Sequence, residues 1–452
     1  MNLPHSQEPS SSAASRREKP LIVILGGGFA GVAAARSLRR CDADVLLIDR
    51  RNHHIFQPLL YQVATAVLAP SDVATPLRQL AQKQPNLSVM MGEIQNVDLV
   101  SNTVRVVPAG LSERQIRFDY LVVATGVRPT YFGHDEFAAH APSLKTLADA
   151  EIIRAKILGA YELAEQTEDA EERRRALTFV LVGAGATGVE LAASIAQMAR
   201  ITLRANFRRI IPAETTILLL EGGPRVLAAF DESLSRKATQ RLNALGVKVR
   251  TDVMVQGVNA SGVLVAGERI PCATVLWTAG VQASPVVKML GPKTDQAGRA
   301  CVGQFLSLHD HPQVFVVGDA ASVTQDGRPL PGVAQVAIQQ GRYAGRLIAT
   351  QIRQRLYLKP FRYFDRGNMA VIGKNFAILE RGHVRLSGFG TWLLWALLHV
   401  MFLPQLQNRL RVQTQWLWSY FTGQRSSRLI PESPSPRLPV VLPRSAPIAD
   451  SP

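Results

Sequence analysis

The chain has 452 residues, long enough for two or three domains, and its 47% hydrophobic content and 33 glycines suit an α/β globular protein. A net charge of +16 points to an anionic partner; with no nucleic-acid-binding module and no basic stripe interleaved with aromatics, lipid outweighs nucleic acid. The three cysteines, Cys41, Cys272 and Cys301, have no C-x-x-C or C-x4-C spacing. This argues for a reducing compartment, against metal or Fe–S ligation, and against a disulfide reductase, which needs a close redox pair beside its flavin.

Residues 1–19 are rich in Ser, Pro and charge and lack the apolar stretch of a secretory signal, so they read as a disordered tail. The run Leu21-Ile22-Val23-Ile24-Leu25 then predicts a buried strand, followed by Gly26-Gly27-Gly28-Phe29-Ala30-Gly31 at the start of a helix. That is the setting in which G-x-G-x-x-G binds a dinucleotide. Gly26 permits the tight turn, Gly28 lets the backbone approach a pyrophosphate, and Gly31 lets the helix pack on the strand. The next strand, Val45–Ile48, ends in Asp49, a carboxylate suited to ribose hydroxyls.

Two later segments assign this site to FAD. Tyr120-Leu121-Val122-Val123 runs into the small-residue turn Ala124-Thr125-Gly126, and Val314-Phe315-Val316-Val317 ends in Gly318-Asp319. Ligands of α/β sheets lie at such carboxyl ends, and Asp319 is a candidate for the ribityl chain. The FAD domain is therefore expected to be discontinuous.

Between its parts the pattern repeats. Phe179-Val180-Leu181-Val182 leads to Gly183-Ala184-Gly185-Ala186-Thr187-Gly188, and the strand Thr216–Leu220 ends in Glu221. A carboxylate there selects NADH over NADPH, because a 2′-phosphate would meet its charge; Arg225 leaves some room for NADPH. The strand at Leu276-Trp277 runs into Ala279-Gly280, where the nicotinamide half would lie. Trp277 reads equally as core or as a stacking partner. Glu190, on the first helical turn two residues past Gly188, reads equally as a solvated charge or as a group near the cofactors. Two dinucleotide sites in one chain imply electron transfer from NADH to FAD, with the flavin carrying the chemistry.

Gly332–Gly341 opens a further helix after the Gly318-Asp319 turn. Gln335 and Gln339 share a face one turn apart, and their amides suit the carbonyl oxygens of a quinone; an ordinary polar helix start fits as well. The run Phe389–Leu403 is the most apolar in the chain, and at 15 residues it is shorter than the roughly 20 that span a bilayer. Together with Trp416–Phe421 and the flanking Arg409, Arg411, Arg425 and Arg428 it reads as a segment lying in a membrane interface, or as a buried dimer contact. From Gln424 the chain is heavy in Pro, Ser and Arg and reads as disordered.

On these residues the chain resembles the type II NADH:quinone oxidoreductases, single-subunit enzymes that do not pump protons. The resemblance covers about residues 20–430. It rests on both glycine motifs, on Asp49–Ala64 including Phe56-Gln57-Pro58-Leu59-Leu60-Tyr61-Gln62, on Val317-Gly318-Asp319, on Ala334–Gln340 and on Phe361–Lys374. It implies noncovalent FAD, NADH as donor and a membrane quinone as acceptor, ubiquinone and menaquinone being left open. Arg50, Gln57, Ala334 and Gln335 would join the FAD site, and Glu190, Gln335 and Gln339 would serve catalysis. It further implies peripheral attachment to the cytoplasmic face of a bacterial inner membrane, against anionic phospholipid, and a homodimer. Gln340 stands where many members carry Glu, so this chain departs from the pattern at an ionisable position. Lys374 falls in the family's Ile-Gly-Lys segment.

The expected fold is α/β, with two Rossmann-like dinucleotide-binding domains and a C-terminal membrane-associating segment. The FAD domain would take residues 20–150 and 286–360, the inserted NADH domain 151–285 and the anchoring segment 361–423, with tails at 1–19 and 424–452. The rival readings are a sulfide:quinone oxidoreductase, for which only Cys272 and Cys301 could supply the cysteine pair, and an NADH-responsive signalling flavoprotein.

Overall fold

The computed structural model describes residues 19–354 and 359–430. Of the expected tails, 1–18 and 431–452 lie outside the described residues. The elements that matter for function run in chain order: β1 (Leu21–Leu25), α1 (Phe29–Ser37), β2 (Asp44–Asp49), α2 (Leu60–Ala64), β3 (Leu87–Asp98), β4 (Thr103–Pro108), β5 (Arg114–Arg117) and β6 (Tyr120–Val123). There follow α3 (Leu147–Gln166), β7 (Thr178–Val182), α4 (Ala186–Gln197), β8 (Thr216–Leu220), α5 (Glu232–Ala244), β9 (Val247–Arg250) and β10 (Thr274–Trp277). The chain continues with β11 (Val314–Val316), α6 (Ala334–Ile352), β12 (Asn368–Val371), β13 (Ala377–Arg381), β14 (Val384–Gly388), α7 (Phe389–Phe402) and α8 (Leu406–Thr422).

Two compact units result. The first takes the chain up to His54, Ala74–Arg128 and Val281–Arg366. Its sheet has the order β11-β6-β1-β2-β3-β4-β5. The strands from β11 to β3 pair in parallel, and β4 and β5 return antiparallel. The inner strands are continuous apolar runs because both faces of the sheet are covered. Val23, Leu25, Phe118 and Leu121 join one core, while Ile22, Ile24, Val122 and Phe315 join the other. Helices α1 and α6 meet backbone to backbone: a Cβ on Gly341 would fall 2.1 Å from the Ala30 carbonyl oxygen, and one on Gly345 2.6 Å from that of Ala34.

The second unit takes Ile55–Val73, Pro129–Gly280 and the chain from Gly367. Its parallel sheet has the order β9-β8-β7-β10. Helix α3 starts on a capping box, in which Thr146 and Asp149 satisfy each other's backbone N–H groups. The antiparallel sheet β12-β13-β14 leads directly into α7. The insertion expected from the sequence is thus present, but the partition differs in detail. Residues 55–73, read as part of the first domain, and the C-terminal segment both pack with the second glycine motif.

The ordered chain also runs past Gln424, where disorder was expected. Arg425 is 6% exposed, and its guanidinium donates to Thr65 O at 2.7 Å and Ser194 O at 3.0 Å. A buried donor fork that meets carbonyl acceptors fixes the end of α8 in the unit. The arginine-rich composition does not distinguish such a residue from a solvated one.

Candidate functional site

In the first unit, register brings the expected residues to one edge. Leu25 pairs with Ile48 and with Val123, and Val123 pairs with Val316. The residues that follow these four, namely Gly26, Asp49, Ala124 and Val317, therefore emerge side by side, with Thr125-Gly126 and Gly318-Asp319 just beyond. Gly26 has φ +104°, and a Cβ on it would fall 2.4 Å from Ala124 O. A Cβ on Gly31 would fall 1.8 Å from Gly26 O, so no other residue lets α1 approach the turn this closely. Gly28 caps α1 and faces open space, with no atom within 4 Å of its virtual Cβ.

The Asp49 carboxylate clamps this loop. Its Oδ2 accepts from Gly27 N at 2.7 Å and its Oδ1 from Arg51 N at 2.8 Å. Arg51, with its Nε 3.7 Å from Asp49, is the arginine that pairs with the acid; Arg50 is exposed. His54 completes the clamp and was not singled out from the sequence. Its Nδ1 donates to Gly27 O at 2.9 Å, and burial pushes its pKa down to about 4, so the ring is neutral. Gln57 lies in the other unit, where its amide donates to Lys145 O at 3.4 Å.

The Gly318-Asp319 turn meets the start of α6. The Gly318 N–H donates to Gln340 Oε1 at 2.6 Å, and a Cβ on Gly332 would lie 3.6 Å from the Asp319 carboxylate. Ala334 and Gln335 form the first turn of α6. The Gln339 amide is engaged with the backbone of Phe364, donating to its O at 2.9 Å and accepting from its N at 3.0 Å. This leaves one amide N–H of Gln339 for anything else. Gln340 is 1% exposed and its Oε1 is spent on Gly318, so it is a core acceptor.

A dinucleotide fits this edge. Among the described residues Thr125 Oγ1 is buried without a partner, an orphan that a bound polar ligand would satisfy, and Gly28 opens the backbone to a pyrophosphate.

The second unit repeats the geometry. Val182 pairs with Leu220 and Trp277, so Gly183, Glu221 and Thr278 emerge together. Gly183 has φ +100°, a Cβ on Gly188 would fall 1.9 Å from Gly183 O, and Gly185 caps α4 facing open space. The Glu221 carboxylate accepts from Ala184 N at 2.6 Å and Gly223 N at 2.9 Å. Ala279 crowds Gly183, its Cα 2.8 Å from the virtual Cβ there, and Gly280 turns with φ +67°. Arg225 donates to Ala228 O and Phe230 O, so its guanidinium is spent on its own loop. Trp277 is core: it is 4% exposed, packs beside Tyr131 and donates to Thr130 O at 2.9 Å.

Glu190 is the outlier. Because α4 starts at Ala186, this residue lies at the start of the second turn, one turn later than its expected place. Its Oε1 accepts from Val371 N at 3.3 Å, and burial pushes its carboxyl up to about 8. Beside it, Tyr61 accepts from Gln62 Nε2, and Gln62 Oε1 accepts from Trp416 Nε1 at 2.7 Å. The sequence indicated Glu190 by its distance from the motif, but gave no sign of the strand that reaches it.

Residues 20–341 match the pyridine nucleotide-disulphide oxidoreductase family. Over 416 residues the chain is 41% identical to the type II NADH:quinone oxidoreductase NdhA of Mycobacterium tuberculosis, covering 89% of this chain and 87% of that protein. The chain belongs to the type II NADH:quinone oxidoreductases. A second protein of this family from the same organism is 38% identical over 414 residues, covering 89% of this chain and 88% of its own. NDH2 from Plasmodium falciparum, solved with NADH, shares the fold with a TM-score of 0.82 at 18% identity, over 90% of this chain and 99% of that one. The family uses FAD and NADH, and both glycine edges have the shape that such cofactors need.

Proposed function

We propose that the chain oxidises NADH and reduces a membrane quinone without pumping protons, with FAD in the first unit and NADH in the second. The supporting observation is the doubled edge, in which a positive-φ glycine, an open capping glycine and a carboxylate clamped to the loop recur at the ends of two parallel sheets. FAD, when bound, supplies the redox chemistry that links a two-electron donor to a quinone. The chain's own residues bind and orient. Asp49 and Glu221 keep lone pairs for ribose hydroxyls, and the starts of α1 and α4 offer N–H groups to pyrophosphates. Arg225 is spent on its own loop and Glu221 makes no ion pair among the described residues, so its charge disfavours a 2′-phosphate and favours NADH over NADPH.

Gln335, with Gln339, belongs to the quinone end in this reading, and Glu190 holds a proton at neutral pH. Cys272 is 1% exposed, and burial pushes its thiol up to about 12. A thiol that stays protonated does not serve the sulfide chemistry of the rival reading.

No helix among the described residues is long and apolar enough to cross a membrane. Helix α7 buries Thr391, Trp395 and Val400 and exposes Phe389, Leu393, Leu397 and Met401, while α8 exposes Leu410, Leu417, Trp418 and Phe421. Apolar side chains on one side and a docked opposite side describe helices lying in an interface. We assign this surface to the cytoplasmic leaflet of a bacterial inner membrane. A second copy of the chain is the other partner in this reading, and the mass of the detergent-solubilised protein checks it.

The decisive experiment mixes detergent-solubilised protein with NADH without oxygen, follows the flavin absorbance, then adds a quinone. Bleaching by NADH, much weaker bleaching by NADPH and prompt recovery with quinone support the reading. Bleaching without recovery points to the signalling alternative, and absence of bleaching overturns the electron path.

A further inference from the structure

A cavity of about 290 Å³ lies wholly within the second unit, at the small end of the roughly 300–1,000 Å³ common for small-molecule sites. Its lining includes Arg200, Arg241 and Lys374 and has no carboxylate. None of these three cations makes an ion pair among the described residues. Three cationic residues around one void repel one another, and a compact anion bound among them turns that repulsion into attraction.

The cations are delivered by specific backbone devices. Arg200 sits in a five-residue π-helical turn, Met198–Thr202, that extends α4. Such widened turns displace side chains from the helical spacing and recur at functional sites. Its guanidinium lies over Gly246, where a Cβ would fall 1.8 Å from Nη2. Arg241, near the end of α5, donates to Ile372 O and to Lys374 O, the latter at 2.8 Å. Gly373, with φ +73°, lets that segment come within reach: a Cβ there would lie 2.8 Å from Gln197 Nε2. Lys374 Nζ donates to Tyr420 O at 2.6 Å and lies 3.8 Å from the centre of the Tyr420 ring. Arg241 and Lys374 are therefore held by neutral groups, which position the charge without cancelling it, while Arg200 is exposed beside Gly246.

The cavity borders the apolar helices. Lys374 touches the end of α8 through Tyr420, and a Cβ on Gly423 would fall 2.8 Å from Ile201, another lining residue. Ile201 is 51% exposed and Phe421 80% exposed. We propose that this cavity is a phosphate-binding site, which takes the headgroup phosphate of an anionic phospholipid or a free phosphate. The lipid source rests on the membrane attachment proposed above; the pocket itself does not.

The test uses full-length holoprotein as wild type, Arg200→Ala, Arg200→Lys and Arg174→Ala. Arg174 is an exposed arginine of the same unit, outside the cavity, and its removal makes the same change in net charge. Pelleting is measured with vesicles of phosphatidylcholine alone and of phosphatidylcholine mixed with phosphatidylglycerol. Binding of inorganic phosphate is measured by titration at constant ionic strength. For a lipid phosphate, Arg200→Ala weakens association with the anionic vesicles about fivefold, the effect of roughly one surface cation. It leaves neutral-vesicle binding unchanged, while Arg200→Lys and Arg174→Ala stay near wild type. For a free phosphate, the Arg200 dependence appears in the titration and not in the vesicles. If Arg200→Ala matches Arg174→Ala in both arms, the site is overturned. If the wild type pellets with neither kind of vesicle, the membrane reading fails and the titration alone decides the pocket.

Discussion

The Gly318 N–H is held by the side-chain oxygen of Gln340 at 2.6 Å, inside the core of the first unit. This bond ties the turn that presents Asp319 to the helix that carries Gln335 and Gln339. Gln340→Leu removes the acceptor and leaves a buried N–H unsatisfied, at a cost of about 1–3 kcal/mol. The expected outcome is a lower unfolding midpoint in urea together with weaker FAD retention. An unchanged midpoint would show that the turn is held by other means.

The glycines of the first motif separate folding from binding. Gly31→Ala drives a methyl group into the Gly26 carbonyl and should disrupt the unit itself, lowering soluble yield and melting temperature. Gly28→Ala meets no protein atom. It should fold like wild type yet retain less FAD, read from the ratio of flavin to protein absorbance. Gly185→Ala is its counterpart in the second unit and should raise the KM for NADH without affecting the flavin content.

The folded-state pKa of Glu190, about 8, lies above that of an unfolded glutamate. Its contribution to stability is therefore fully present below about pH 4.5 and is lost as the pH rises through about 8. Glu190→Gln should flatten the decline in melting temperature between about pH 5 and pH 8.5. If Glu190 supplies a proton to quinone, turnover with quinone should fall above about pH 8 in wild type, while anaerobic reduction of the flavin by NADH stays level.

His54 works in the opposite sense. Its pKa is pushed down to about 4 by burial, so the neutral ring stabilises the fold above about pH 6.5 and that contribution fades as the pH falls towards 4. Replacing it with Asn should make the melting temperature less sensitive to acid, at the cost of a weaker hold on Gly27 and a lower melting temperature at neutral pH.

Truncation before α7 is a poor test of membrane attachment, because α8 and the residues after it are part of the unit. Trp395 stacks on Trp416 at 5.3 Å, Trp416 holds Gln62, and Arg425 is buried on Thr65 and Ser194. Removing them would expose that core. Leu397→Glu and Leu410→Glu, both on exposed sites, leave those contacts intact. They should lower pelleting with vesicles and turnover with long-chain quinones, while reduction of a water-soluble acceptor persists. Equal loss with both acceptors would place the damage elsewhere.

Much of the first-order plan was legible in the chain. The parallel strands, both glycine turns, Asp49, Glu221, Thr125 and Asp319 could be read because each depends on short-range chemistry: an apolar run, a positive-φ glycine, an acid at a strand end. The residues that failed to show, or showed with the wrong neighbours, depend on contacts far apart in sequence. Arg425 looks like a solvated tail residue until Thr65 and Ser194 close around it. Gln339 shows its helix face in the sequence, but not that the backbone of Phe364 engages its amide and leaves one N–H for a ligand. Glu190 acquires its raised pKa only when the strand at Val371 covers it, and Arg200, Arg241 and Lys374 share a void only after three distant segments fold together. Local sequence sets which backbone shapes are possible. Desolvation and hydrogen-bond partners, which decide what a charged side chain does, are properties of the packed chain.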